Sequence, residues 1–142
     1  MDLTSIDLIA LNALIVSTFE SGKIFINKAR FLLIYNLVSF TYNFRVQLLV
    51  KLQNPELFLT TTFLFKSAQW LEREVWDLFG LIAARNKDLR RIITDYGFEG
   101  HPLRKDFPVI GFFELLYNEA FKRIIYGPVE MMQEFRLFKF KY

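Results

Sequence analysis

The chain has 142 residues, enough for one domain with a buried core. It contains no cysteine and one histidine, which excludes disulfides, thiolate nucleophiles, cysteine-ligated iron–sulfur clusters and multi-histidine metal sites within it. Its net charge of +3, from 18 basic and 15 acidic residues, gives little support to a nucleic-acid-binding protein.

The chain is more apolar than a small independent domain usually is. Hydrophobic residues make up 53% of it, and its mean hydropathy is +0.23. A spanning helix needs about 20 uninterrupted apolar residues, whereas residues 6–19 are fewer and include Asp7 and Asn12. The start lacks the basic leader of a secretory signal and the Arg-rich character of a mitochondrial presequence. We therefore expect a subunit that shares surface with neighbours and has no membrane span of its own.

The first thirty residues predict a short helix and then a strand. Ser5 can cap an amphipathic helix, and Ser21-Gly22 would end it. Residues 23–27 predict a strand with alternating isoleucines. The apolar positions of the predicted helix are Ile6, Ile9, Ala10 and Ala13.

The centre of the chain predicts a hairpin followed by a helix. Residues 30–38 and 44–52 are rich in aliphatic, β-branched and aromatic side chains, and Pro55 breaks the second strand. The period then changes, which predicts a helix over residues 66–79 that stops at Gly80. Its apolar stripe consists of Ala68, Leu71, Val75, Leu78 and Ile82.

The C-terminal third begins with a long irregular segment. Residues 90–111 show neither the helical nor the strand period of apolar residues. An irregular loop of this length in a small domain is usually functional or held by a partner. Residues 112–117 and 123–126 predict a second hairpin. The predicted fold class is α+β, with a mostly antiparallel sheet, few helices and a long irregular C-terminal extension ending in a hairpin. Residues 1–89 would form a compact α+β domain, and residues 90–142 a partner-wrapping segment, hairpin and tail within one structural unit.

Glu72 is the acidic residue that a helical wheel places among apolar side chains, between Phe79 and Trp76. A buried carboxylate needs a donor or a cation. Glu72 would then either clamp the irregular segment or act as a general acid/base with a raised pKa. We favour the clamp because nothing else in the sequence completes a catalytic site. The nearest cations are Arg90, Arg91 and Arg104.

The other charged residues have simple structural interpretations. The wheel places Arg73, Glu74 and Asp77 on the opposite, exposed side, where Arg73 and Asp77 could pair at i,i+4. His101, without a nucleophile to serve, is interpreted as a loop histidine bonded to backbone rather than a catalytic one. The run Arg104-Lys105-Asp106 is too short and too mixed in charge to indicate a phosphate or nucleic-acid site.

Two stretches have a residue order that periodicity alone does not explain: SAQWLEREVWDLFGL and DLRRIITDYGFEGHPLRKDFP. With RFLLIYNLVS…NFRVQLLVKL upstream and YGPVEMMQEFRLFKF downstream, they resemble the 30-kDa subunit family of respiratory complex I, the proton-pumping NADH:ubiquinone oxidoreductase. Related subunits of membrane-bound hydrogenases share the ERE and RKDFP elements. Asn86 and Lys87 depart from the His-Pro pair that the family usually has before the DLRR element.

The resemblance implies a non-catalytic core or accessory subunit of the peripheral arm, on the matrix side of the mitochondrial inner membrane. It implies no catalytic residue, metal, flavin or other cofactor, and no nucleic acid. The implied partners are the 49-kDa subunit and the iron–sulfur subunits of a large hetero-oligomeric membrane complex. The candidate structural and interface residues are Glu72, Arg73, Glu74, Asp77, Arg90, Arg91, Asp95, His101, Arg104, Lys105 and Asp106.

Two alternatives stay open, a basic RNA-associated organellar protein of ribosomal type and the related subunit of a membrane-bound hydrogenase. The 15 acidic residues argue against the first. A small independent enzyme is not supported, since the sequence offers no nucleophile–base or metal constellation. The use of 17 phenylalanines fits A+T-rich codons and mildly favours a chain encoded in the organelle.

Overall fold

The computed structural model describes residues 1–9, 29–52, 57–133 and 135–136. The chain divides into two compact units, Met1–Lys105 and Asp106–Tyr142. Residues 90–105 thus fold within the first unit. That residues 90–142 wrap a partner stays a prediction.

A three-stranded antiparallel sheet is the largest element of the first unit. Its register pairs Leu3 with Tyr35 and Leu33 with Val50, so alternate side chains of the three strands share one face. The pairing of the second and third strands confirms the hairpin predicted from residues 30–38 and 44–52. The strands, in sheet order, are β1 (Asp2–Asp7), β2 (Phe31–Ser39) and β3 (Phe44–Leu52).

The predicted N-terminal helix is wrong at Ser5 and Ile6, whereas Ile9 is helical as predicted. Ser5 and Ile6 lie in β1, whose side chains alternate between exposed and buried. The strand is favoured because β2 lies alongside and places Leu33 opposite Ser5, which a single-segment helical pattern does not take into account. The rest of that helix, Ser21-Gly22, the strand over residues 23–27 and Pro55 lie outside the described residues.

A parallel βαβ unit completes the first unit. Strand β4 (Leu57–Leu59) leads through helix α1 (Ala68–Phe79) to strand β5 (Ile82–Ala84), which pairs with β4 in parallel. Parallel neighbours need a crossover connection, and α1 provides it. The helix predicted over residues 66–79 is confirmed.

Gly80 ends the helix as the sequence predicts. Its φ of +74° lies in the left-handed region, and its N–H donates to the carbonyl oxygen of Trp76 at 2.9 Å. Ile82 was predicted as the last member of the helical stripe, and this is wrong. Since the helix stops two residues earlier, Ile82 begins β5 and is exposed.

The core of the first unit brings together residues of the three-stranded sheet, the βαβ strands and α1. The helix packs mainly against β1, so side chains on the core face of the sheet become more exposed from β1 towards β3. On β3 the exposed fraction rises from 7% at Leu52 to 40% at Val50 and 49% at Leu48, although all three share the core face. The core consists of Leu3, Phe31, Leu33, Tyr35, Leu52, Phe58, Val75, Phe79, Leu81 and Ala83.

The second unit contains an antiparallel hairpin of β6 (Phe113–Asn118) and β7 (Arg123–Pro128), which confirms the second predicted hairpin. Between β5 and β6 the backbone forms turns and bends without a helix or strand, as the irregular segment was predicted to do. Sheets of mostly antiparallel strands with one described helix confirm the α+β class. Among the described residues, no helix is long and apolar enough to cross a bilayer.

We expect the isolated 142-residue chain to self-associate at micromolar concentration. Val46, Leu48 and Val50 form an exposed apolar stripe on β3, which is an edge strand of the described sheet. Light scattering after size-exclusion chromatography should show aggregates, and Leu48→Thr should reduce them. A monodisperse, cooperatively melting monomer of the natural sequence would contradict this expectation.

Candidate functional site

Three buried carboxylates fix the loops of the first unit. The exposed fraction is 0% for Glu72 and Asp77 and 3% for Asp7. A carboxylate removed from water is very unfavourable unless donors or cations surround it. The donors that each of them gathers therefore show which segments are held in place.

Glu72 joins the end of β4 to the turn after β5. Its carboxylate accepts hydrogen bonds from Thr60 Oγ1 at 2.6 Å, from the Thr61 N–H at 2.6 Å and from Thr61 Oγ1 at 3.1 Å. Asn86 Nδ2 donates a further bond at 2.8 Å. The predicted burial of Glu72 is thus confirmed. Its charge also contributes, after burial, to raising the pKa of Tyr35 to about 12.

The predicted clamp of the irregular segment by Glu72 is wrong, and so are its predicted arginine partners, since its donors among the described residues are Thr60, Thr61 and Asn86. Its donors are hydroxyl, amide and backbone groups from the two segments next to α1, while the three arginines bind other acceptors. Arg90 pairs with Asp88 at 3.3 Å, and Arg91 binds Asp77. Arg104 binds carbonyls at the end of the helix. Neutral donors suffice because several of them converge on one carboxylate.

Asp77 holds the start of the irregular segment on the other side of α1. Its Oδ2 accepts from the backbone N–H groups of Ile92, Ile93 and Thr94 at 2.7–3.2 Å. Its Oδ1 accepts from Thr94 Oγ1 at 2.5 Å and from Arg91 Nη1 at 3.2 Å. Burial alone would raise the pKa of Asp77, but the hydrogen bonds from Thr94, Ile93 and Ile92 lower it below 3.8.

The predicted surface pair between Arg73 and Asp77 is wrong, because both side chains are buried. Arg73 Nε donates to the carbonyl oxygen of Arg90 at 3.1 Å, and its guanidinium lies over the Trp70 ring at 5.3 Å. The wheel assigned this side of α1 to solvent, but the irregular segment covers it. The polar face of the helix therefore holds a loop.

The carbonyl groups at the C-terminal end of α1 are also taken up by the irregular segment. A helix leaves its last four carbonyls without intrahelical partners. Here the Gly80 N–H donates to the carbonyl oxygen of Trp76, while donors from residues 101–104 bind the other three carbonyl oxygens. The three bonds run from His101 Nδ1 to Asp77 O at 3.0 Å, from Leu103 N to Leu78 O at 3.1 Å and from Arg104 Nε to Phe79 O at 2.6 Å.

His101 makes the backbone hydrogen bond that its loop position predicts. Since a carbonyl only accepts, Nδ1 carries the proton and the neutral ring is the Nδ1–H tautomer. The ring also meets the Trp76 ring edge-on, with centroids 5.5 Å apart. Burial lowers the pKa of His101 below 6.5; the bond to Asp77 opposes this, and the charges of Arg104 and Arg91 add to it.

Gly80 is required by space as well as by its backbone angle. A Cβ atom there would lie 2.5 Å from Arg104 Nη2 and 2.6 Å from the His101 ring. The irregular segment therefore packs directly on the backbone of the helix end.

Asp7 closes the first unit between its N-terminal strand and its last residue. Its carboxylate accepts from the N–H groups of Ile9 and Lys105 at 3.1 and 3.0 Å, and from Arg30 Nη2 at 3.2 Å. Burial raises the pKa of Asp7, but the bonds from Lys105, Arg30 and Ile9 outweigh it and lower the pKa. Asp7 was not among the predicted site residues.

The structure leaves four candidate residues outside this arrangement of side chains. Glu74 is half-buried on α1, and Asp95 binds the adjacent N–H of Tyr96 in a turn. Lys105 takes part through its backbone alone, with its side chain exposed, and exposed Asp106 begins the second unit. Their roles as interface residues stay predictions.

Several residues that hold the site were missed from sequence. Most of them are short polar side chains in loops, where turn formation already accounts for them, while Asp7 ends β1 and Arg30 precedes β2. The run of three threonines after β4 was the one available signal, because hydroxyls close to a buried acid can serve as its donors. The missed residues are Asp7, Arg30, Thr60, Thr61, Asn86 and Thr94.

The arrangement is suited to holding loops. Each of the three carboxylates accepts at least three hydrogen bonds. Within the described part of the chain, no three metal-ligating side chains come together. Fold and site thus define a small α+β unit in which charged side chains fix an irregular segment against a helix.

Residues 1–113 match the family model described as "Respiratory-chain NADH dehydrogenase, 30 Kd subunit". The chain is similar to "NADH dehydrogenase [ubiquinone] iron-sulfur protein 3" of Solanum tuberosum, with 50% identity over 80% of this chain and 60% of that protein. It is also similar to "NADH-ubiquinone oxidoreductase subunit 9" of Dictyostelium citrinum, with 44% identity over 95% of this chain and 61% of that protein. A bacterial relative, an NADH-quinone oxidoreductase subunit from Agrobacterium fabrum, is 50% identical over 78% of this chain and 56% of its own length.

The chain therefore belongs to the 30-kDa subunit family of respiratory-chain NADH dehydrogenase. It covers 56–61% of the length of these three relatives. The matches give no support to the RNA-associated or the hydrogenase alternative.

We expect Asp77→Asn to loosen the loop that Asp77 holds. The amide cannot accept at both atoms, so hydrogen bonds worth about 1.5–3 kcal/mol are lost, and amide hydrogens of residues 92–94 should exchange roughly tenfold to a hundredfold faster. The measurement is hydrogen exchange on the native protein. Glu74→Gln is the matched control, since that carboxylate makes no hydrogen bond with the described residues. Equal protection in both variants would refute the role of Asp77.

We expect acid to open the contact between residues 101–104 and the helix end. Because the folded-state pKa of His101 is lowered, an open state binds a proton more readily, so protection is complete above pH 6.5 and falls as the pH drops below it. Hydrogen exchange of the Leu103 amide, corrected for its intrinsic pH dependence, should show this between about pH 7.5 and 5.5. His101→Gln should remove the pH dependence, and a dependence that persists in that variant would show that another group titrates.

Proposed function

We propose that the chain is a non-catalytic subunit of the peripheral arm of the proton-pumping NADH:ubiquinone oxidoreductase, complex I, in mitochondrial electron transport. It lies on the matrix side of the inner membrane and scaffolds the quinone-reducing module. Its partners are the 49-kDa subunit and the neighbouring iron–sulfur subunits. Family membership over residues 1–113 is the observation that carries the proposal.

The hydrogen bonds of the buried carboxylates support a role in holding surface loops in place. Catalytic acids and bases face a substrate and are left free to exchange protons. Glu72, Asp77 and Asp7 instead accept several hydrogen bonds each from neighbouring loops. Their removal would displace segments of the surface, and a partner that recognises this surface would be lost.

The exposed apolar side chains support a position in contact with other subunits. Large hydrophobic side chains are exposed on β3, in the turn before α1 and on the β6–β7 hairpin. Large apolar side chains exposed in such number within each unit indicate protein interfaces. The chain therefore resembles an obligate subunit more than an independent domain.

Native electrophoresis followed by peptide identification tests this assignment. Peptides of the chain should migrate with a large membrane complex that oxidises NADH and carries the 49-kDa subunit. Their recovery in a ribosomal particle would overturn the proposal, and so would recovery with a hydrogenase.

Substitution of Glu72 separates a positional role from a catalytic one. Glu72→Ala removes every acceptor and should lower the amount of assembled complex strongly, whereas Glu72→Gln keeps the shape and one acceptor and should lower it less. NADH:quinone activity normalised to complex content should stay near normal in both. Intact assembly with abolished quinone reduction in Glu72→Gln would show a catalytic or proton-transfer role.

A further inference from the structure

A recess of about 530 Å³ opens beside Glu72, between the turn after β4, the first turn of α1 and the turn after β5. Two of its lining residues, Thr60 and Asn86, are among the donors to Glu72. Two others, Arg85 and Lys87, bring positive charge to its wall. None of the lining residues was a candidate in the sequence.

The hydroxyl protons of Thr60 and Thr62 are used in a chain of hydrogen bonds that ends at Glu72. A carboxylate only accepts, so Thr60 Oγ1 donates to it, and Thr62 Oγ1 must then donate to Thr60 at 2.9 Å. The threonines are thus committed to the buried acid. Recognition of a ligand in the recess is left to Arg85, Lys87 and the amide of Gln69.

Neither cation has an acidic partner among the described residues. Asp88, the acid next in sequence, pairs with Arg90 at 3.3 Å. Arg85 and Lys87 are both exposed, and they leave the recess with a formal charge of +1 when Glu72 is counted. One carboxylate would neutralise it.

Arg85 is held in a backbone conformation that is unfavourable for its residue type. Its φ of +67° lies in the left-handed region, where the Cβ atom of an L-residue crowds the following carbonyl oxygen. The bond from Asn86 N to Ala83 O and the bond from Asp88 N to Asn86 Oδ1 build the turn that imposes it. Such strain at an exposed residue is typical of a binding position.

An exposed aromatic ring forms another wall of the recess. Phe63 lines it and is 78% exposed, and Leu64 beside it is exposed as well. Arginine and aromatic side chains around a polar pocket are enriched at the centre of protein interfaces. A free small anion would leave the ring in water, whereas a protein partner would cover it.

We propose that this recess receives a carboxylate of a neighbouring subunit, either an Asp or Glu side chain or a C-terminal carboxyl group, bound by Arg85 and Lys87 and flanked by apolar contact with Phe63. The proposal rests on the proposed function, since it requires the chain to lie in an assembly. It adds a position on the chain and a chemistry for one contact.

Carbodiimide cross-linking of the purified native complex tests the proposal without a variant. This reagent joins an amine to a carboxyl group in direct contact, with loss of water and no spacer. We expect the Lys87 amine to be joined to a carboxyl group of another subunit, which peptide mass spectrometry would detect on the tryptic peptide of residues 86–90. A Lys87 that stays free and reacts with a small acetylating reagent would overturn the proposal, and so would cross-links confined to this chain. Absence of the chain from the complex would instead refute the proposed function.

A glycine substitution separates the charge from the fold. Arg85→Gly removes the cation but suits the positive φ, so the turn should form without strain. We expect the amount of assembled complex to fall several-fold in Arg85→Gly and to recover in Arg85→Lys. Lys122→Gly is the matched control, since Lys122 is an exposed cation at φ +48° in the turn of the β6–β7 hairpin. Unchanged complex content in Arg85→Gly, or an equal loss in Lys122→Gly, would overturn the proposal.

Discussion

A carboxylate without water must be surrounded by donors, and this requirement organises the first unit. Helix α1 carries two such groups on different sides, Glu72 and Asp77, and each draws in a separate loop. The loops have little regular structure with which to satisfy their own backbone groups. Their N–H groups and the buried acids therefore satisfy each other, and the helix serves as the common support.

The same constraint explains why charged residues on α1 do not indicate a solvent-exposed face. An amphipathic helix usually turns its polar face to water. Arg73 and Asp77 follow the polar spacing but lie beneath the irregular segment, which covers that face. The carbonyls of the last turn meet the same segment, so side chains and backbone of the helix are joined to it together.

The regular elements could be predicted because their signals are local. The two hairpins, α1 and its end at Gly80 follow from strand composition, apolar period and glycine position, and burial of Glu72 follows from the wheel. The partners of the buried acids could not be predicted, because threonine, asparagine and backbone donors leave no distinctive pattern. Ser5 and Ile6 of β1 were assigned to a helix because the pairing of this strand depends on residues 31–36, which a window on the N-terminus does not contain. The recess beside Glu72 depends on a turn whose conformation sequence alone did not reveal.

The hydrogen bond from the Lys105 N–H to Asp7 joins two residues that are 98 positions apart. Strand β1 is synthesised before residue 105, so its buried acid acquires this donor only after that residue has been added. Until then Asp7 has the nearby Ile9 and Arg30 as donors, and the closing contact carries the large loop-closure entropy of a distant pair. The first unit is therefore completed only once residue 105 has been synthesised, and a variant that lacks residue 105 would leave the buried acid of β1 with one donor fewer.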